Sequence, residues 1–287
     1  DTNAALTTGN INIAIGDSSN KANTTGTNNV SIGNETLFAT TGGSSNIAIG
    51  GFAGRDAIPV GDILIGNSAG KNLGNSTNNP ASNTSHSRVV IGNSAMLGDS
   101  TNKHETNLGD VAIGDSAKKY KASTASSSSN GAGVYIGQFT GSGFNNFRSS
   151  GASRYHVAVG AFAMSYGGAS ARDGQIAIGY SASIGSQTVE TETYNTSTKG
   201  IAIGYESEGA SADYANITRS GVGNIAIGVL AGGTTGSTIS GGTVAVGTSA
   251  LAEGSDSIAI GTNATAGDSG GAKDDGIAIG NGASSKF

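Results

Sequence analysis

Ile13-Ala14-Ile15-Gly16 is the phrase on which this sequence turns. It returns at Ile47 to Gly50, Ile176 to Gly179, Ile201 to Gly204, Ile225 to Gly228, Ile258 to Gly261 and Ile277 to Gly280. Seven variants, reading VSIG, ILIG, VVIG, VAIG, VYIG, VAVG and VAVG, end at Gly33, Gly66, Gly92, Gly114, Gly137, Gly160 and Gly247. The first and third slots of these fourteen copies hold only Ile or Val and use 28 of the 38 such residues in the chain, which composition alone does not produce. Three residues past each Gly stands a small residue. It is Ala at Ala53, Ala69, Ala95, Ala117, Ala163, Ala182, Ala231, Ala250, Ala264 and Ala283, and Ser19, Thr36, Thr140 or Ser207 elsewhere.

Side chains alternate along a strand and β-branched residues fit a pleated surface, so Ile-x-Ile reads as a short strand with both branched side chains on one face. Glycine ends it, since a residue without Cβ takes the positive φ or close backbone approach of a tight turn. The small-residue stretch that follows, such as Asn67-Ser68-Ala69 or Thr248-Ser249-Ala250, reads as a second short strand. A unit this small cannot bury its apolar face alone, so successive units must stack, each strand pairing with its equivalent in the next coil. The prediction is an all-β solenoid of about fourteen coils.

The motif glycines are 14 to 26 residues apart, with Gly247 to Gly261 setting the minimum. The extra residues fall between the small-residue stretch and the next Ile-x-Ile, so they leave from one edge of the stack. They include Lys71 to Arg88, Lys121 to Gly133, Gly141 to His156, Gly185 to Gly200 and Gly209 to Asn224. Residues 1–287 thus read as one repeat-built domain, with repeats over about residues 10–283 and polar insertions on one edge. With strands about 4.8 Å apart, fourteen coils make a rod on the order of 65 Å long.

Composition agrees with a thin, repeated core. The 287 residues include 49 Gly, 2 Pro, 15 aromatics and no Cys or Trp, and only 12% are charged. Such a chain cannot build one broad aromatic core, yet it is too apolar and weakly charged for disorder. A net charge of −5 removes the positive field that nucleic acid or an anionic membrane would need as a partner. The lack of Cys excludes a disulfide scaffold and a thiolate metal site. No stretch approaches 18 apolar residues, so no direct membrane insertion by this segment is expected.

Ile-Ala-Ile-Gly strands, each followed by a small-residue stretch at a fourteen-residue basic period, resemble the head domain of YadA-type trimeric autotransporter adhesins over Asn10 to Ala283. The family's branched pair and turn glycine fall on Ile13, Ile15 and Gly16; Ile47, Ile49 and Gly50; Ile176, Ile178 and Gly179; Ile201, Ile203 and Gly204; and Ile258, Ile260 and Gly261. The resemblance implies a left-handed parallel β-roll assembled as a homotrimer with two further copies of itself. It also implies a place at the cell surface of a Gram-negative bacterium, on a stalk anchored in the outer membrane. Extracellular matrix proteins or host-cell receptors are the partners it implies. No neck motif, heptad stalk or barrel anchor is recognisable among these residues, and the insertions are longer than the minimal family repeat. A two-strand-wide roll offers one buried layer inside and a trimer a second along its axis; Ile/Val and Ala divide these two places, in an order the pattern leaves open.

Little in the sequence carries chemistry. His86, His104 and His156 each lie in or beside an insertion and read as surface residues. Asp268, Asp274 and Asp275 match no calcium loop and read as a solvated acidic turn. The GxSxG matches at Gly66 to Gly70 and Gly267 to Gly271 lack the strand-to-helix setting of a nucleophile elbow. No catalysis, cofactor or metal is expected.

The exception to a bland surface is Phe139, Phe144, Phe147, Tyr155, Phe162 and Tyr166, with Arg148 and Arg154 interleaved. Aromatics and Arg dominate binding energy at interfaces, so Phe144, Phe147, Arg148, Arg154 and Tyr155 are the candidate ligand-binding residues. The same rings could instead staple an insertion onto the roll or a neighbouring chain. An adhesin head fits these features, and a trimeric structural fibre or spike segment of the phage type is the alternative. An ice-binding solenoid would need a Thr-x-Thr row, and a polysaccharide-cleaving one acidic residues on neighbouring strands; both are missing.

Overall fold

Each Ile-x-Ile copy, or its Val variant, forms a three-residue strand that its glycine ends. The computed structural model describes residues 9–57, 59–73, 87–97, 109–118, 133–140, 157–163, 176–180, 200–205, 225–229, 231–232, 242–254, 256–267 and 275–285. The chain forms two compact units, Asp1–Gly143 and Phe144–Phe287. In the first, β1 (Ile13–Ile15), β2 (Val30–Ile32), β3 (Ile47–Ile49), β4 (Ile63–Ile65), β5 (Val89–Ile91), β6 (Val111–Ile113) and β7 (Val134–Ile136) follow one another in a parallel ladder. First slot pairs with first slot at every step: Ile13 with Val30, Val30 with Ile47, Ile47 with Ile63.

The second unit repeats the arrangement with β8 (Val157–Val159), β9 (Ile176–Ile178), β10 (Ile201–Ile203), β11 (Ile225–Ile227), β12 (Val244–Val246), β14 (Ile258–Ile260) and β16 (Ile277–Ile279). A smaller parallel ladder holds β13 (Leu251–Ala252), β15 (Thr265–Ala266) and β17 (Ser284–Ser285). No helix occurs among the described residues. Parallel neighbours need a long return connection, which the rest of each coil supplies, and this is the β-solenoid that the period predicts.

The motif glycine is obligatory twice over. Gly50 has φ +126°, and a Cβ there would lie 2.5 Å from the carbonyl oxygen of Gly66 in the next coil. The coils stack through these glycines at a distance that leaves no room for a side chain.

Among the described residues, the expected second strand past the glycine forms only in the last three coils. Asn67–Ala69 is a turn, as is Thr248–Ser249, and the strand expected at Thr248–Ala250 lies just beyond that stretch, at Leu251–Ala252. In the first six coils the residue four past the glycine has positive φ, at Asn20, Leu37, Gly54, Gly70, Met96 and Lys118, as does the residue two past it. The Ser68 amide therefore donates back to Gly51 O (2.8 Å), and that of Gly70 donates forward to Ala95 O (3.0 Å). Alternating left-handed residues tie a coil to both neighbours without an extended segment. In the last coils Leu251, Thr265 and Ser284 are extended instead, and Leu251 N bonds Ala264 O at 2.8 Å. A pattern of small residues does not reveal the sign of φ, and non-glycine left-handed residues are uncommon enough that sequence alone points away from them.

Candidate interaction surface

The strands divide their side chains by size. Their middle residues point into the roll: Ala48, Ala112, Ala158, Ala177, Ala202 and Ala259 are fully buried, as are Leu64 and Val90 where the interior is wider. The small residues three past the glycine, such as Ala53, Ala69, Ala95, Ala250 and Ala264, close the same layer. Outward stand the branched pairs. Ile13, Ile15, Ile47, Ile49, Ile178 and Ile260 are exposed and Ile176, Ile201, Ile203 and Ile258 half-buried. Alanine therefore fills the roll, and Ile and Val form a continuous outer face on each ladder. Single soluble chains rarely leave contiguous apolar surface of this kind uncovered.

A second apolar row lies at the turns of the second unit. Tyr180 and Tyr205 immediately follow the motif glycines of successive coils and are 45% and 52% exposed. Their rings stack 5.3 Å apart at 11°, and Phe162 meets Tyr180 edge-on at 5.7 Å. In-register stacking of coils places the rings in a row. Tyr180 and Tyr205 lie outside the aromatic-dense stretch 139–166, and their shared slot beside the glycine is the sequence signal that marks them.

No model of a known protein family matches the chain, and no curated protein matches it.

Inside the first unit the residues just before β1 to β6 form a polar column that the sequence pattern did not reveal. Asn29 donates from its backbone N and its Nδ2 to Asn12 Oδ1 (3.0 and 3.1 Å), and Asn46 does the same to Asn29 Oδ1 (3.1 and 2.9 Å). Asp62 and Arg88 continue the column as a sealed ion pair, with Nη2 2.6 Å from Oδ2. Arg88, read from sequence as the end of an insertion, is a core residue here. Lys118 is likewise buried, paired with Asp110 and 4.8 Å from the centre of the Tyr135 ring. Burial pulls its amine below the ordinary lysine value of 10.5, with the Arg88 charge adding to the effect and Asp110 opposing it. These pairs are sealed in the interior, so they serve the fold and not a ligand.

The candidate ligand-binding residues Phe144, Phe147, Arg148, Arg154 and Tyr155 lie outside the described residues, as do Tyr166, the three histidines, Asp268 and Asp274. Phe139 and Phe162 are half-buried at the turns, and Asp275 is exposed. Among the described residues no group of three or more His, Cys, Asp or Glu could hold a metal ion.

Proposed function

We propose that this chain is the head of a trimeric surface adhesin of the YadA type, a left-handed parallel β-roll that works as a homotrimer and carries no catalytic step. The observation that supports it is the outward Ile/Val face, repeated on every strand of both ladders. Two further copies would cover it, and each Å² of apolar area withdrawn from water would add about 25 cal/mol. That gain suits a chain whose own interior is mostly alanine. The polar insertions then form the surface offered to extracellular matrix proteins or host-cell receptors, at the outer membrane of a Gram-negative cell.

Gel filtration with light scattering tests the assembly and should report three chains; a stable monomer at micromolar concentration overturns it. Attachment of the purified trimer to a panel of matrix proteins, beside a bare-surface control, tests the adhesive function. Trimers that attach to none would be a structural fibre segment.

A further inference from the structure

The turns of the first four coils carry a row of cations and rings. The slot five residues past the motif glycine holds Lys21, Phe38, Arg55 and Lys71 in consecutive coils, and Phe52 stands beside them. Lys21 Nζ lies 5.8 Å from the centre of the Phe38 ring, and the Arg55 guanidinium 5.6 Å from the same ring. Arg55 is also 5.4 Å from the Phe52 ring, and Lys71 Nζ is 5.5 Å from it. The order is Lys, Phe, Arg, Phe, Lys, with each ring contacted by two cations. All five residues are half-buried. Glu35 and Asp56 answer the charge of Arg55, at 2.7 and 3.3 Å. Lys21 and Lys71 lie against rings, which hold an ammonium in place without cancelling its charge.

We propose that this row binds a linear anionic polysaccharide carrying sulfate or carboxylate groups at intervals along a stiff chain. Long basic side chains normally lose rotamer freedom when they bind; here the rings hold them before any ligand arrives. The outer two cations are three coil steps apart, about 14 Å, along a straight line fixed by the backbone ladder. A stiff polymer with repeated charges meets such a line without ordering itself, whereas a flexible acidic peptide would lose chain entropy. The net charge of −5 works against long-range capture of any polyanion, so binding depends on contact with these few cations. That favours a sparsely charged glycan over a nucleic acid with a phosphate about every 3.4 Å of each strand.

This narrows the adhesive reading to a ligand class and rests on that reading only for its biological setting. The purified full chain is passed over immobilised chondroitin sulfate, neutral dextran and polyglutamate. Retention on chondroitin sulfate alone, weakening as salt rises, is expected. Lys21→Gln with Lys71→Gln should weaken it on the order of tenfold or more, because charge-assisted contacts are the strong ones, while Lys21→Arg with Lys71→Arg keeps it. Unchanged melting temperatures show that both variants fold. No retention of the wild type, or equal retention of the Gln variant, overturns the proposal, and equal retention on polyglutamate overturns the glycan assignment. Attachment to matrix proteins, measured separately, is the readout of the adhesive function itself, so either reading can fail alone.

Discussion

Arg88 folds its guanidinium onto the Asp62 carboxylate inside the roll, with Nε 3.2 and 3.1 Å from the two oxygens and Nη2 2.6 Å from Oδ2. The Arg88 backbone amide adds a fourth bond to Oδ1, at 2.8 Å. Arg88→Met leaves a buried carboxylate without its counter-charge, and breaking such a pair from one side costs about 3–5 kcal/mol. Adding Asp62→Asn removes the charge yet keeps the Oδ1 acceptor, so the double variant should recover most of the loss. Denaturant midpoints of the two variants test this; equal midpoints would show that the unpaired charge is not the source of the cost.

Lys118 gives the fold a pH dependence. Its amine is held below the ordinary value of 10.5 by burial. Between its folded pKa and that value the unfolded chain retains a proton that the folded chain has released. Unfolding then takes up a proton, and stability rises with pH across that window. The melting temperature of the wild type should climb relative to Lys118→Met from neutral pH towards 10.5. A constant difference would mean that Lys118 titrates as an ordinary lysine.

Two glycines separate strain from collision. Gly204 has φ +141°, and a Cβ there would lie 2.4 Å from the Gly228 carbonyl oxygen; Gly282 has φ +64° with nothing within 4 Å. Gly282→Ala should cost about 1–2 kcal/mol, the left-handed penalty alone. Gly204→Ala should cost more than about 3 kcal/mol, because the next coil must also move. Calorimetric melting of both variants is the measurement, and equal shifts would disprove the close stacking.

Adjacent residues of β10 should fail in different ways. Ala202 is fully buried and Ile203 half-buried. Ala202→Asp places an unpartnered charge in the alanine layer, costs several kcal/mol and lowers the strand signal in circular dichroism. Ile203→Asp should keep that signal and, if the chain assembles as the proposed trimer, reduce the mass in light scattering to that of one chain. Loss of structure in both would mean that Ile203 supports the single chain.

For the aromatic insertion, changing Phe144, Phe147 and Arg148 together to Ala should weaken attachment to matrix proteins by the few kcal/mol typical of interface anchors, with little change in melting temperature. Unfolding or dissociation would make these rings staples, and unaltered attachment would move the ligand surface to the polar insertions around Asn83 or Tyr194.

The pairing of coils was fully legible, because Ile-x-Ile-Gly marks both the strand and its end, and register follows from copy to copy. The direction of the branched pair was not. Both faces of Ile-Ala-Ile are apolar, so alternation alone does not choose between them, and the deciding quantity is the width of the interior, which admits Ala48 but not Ile47 or Ile49. Variation of the middle slot among Ala, Ser, Leu, Val and Tyr was the overlooked clue, since inward residues follow the local width. The polar column escaped notice because Asn12, Asn29, Asn46, Asp62, Arg88 and Asp110 look like ordinary loop residues until a common register before each strand is imposed. The cation row was hidden in the same way, its members sharing a slot rather than a neighbourhood in sequence.

Register in this fold takes no account of chain length. Ile63 pairs with Val89 across 26 residues as Val244 pairs with Ile258 across 14, slot for slot. The Ile63 amide reaches Arg88 O at 2.8 Å although the segment between Leu73 and Ser87 separates their coils, and lengthening a loop adds only a logarithmic entropic cost. The ladder is thus a chassis with interchangeable cartridges. On the entropic cost alone, residues added between Leu73 and Ser87 should leave the pairing of Ile63 with Val89 in place.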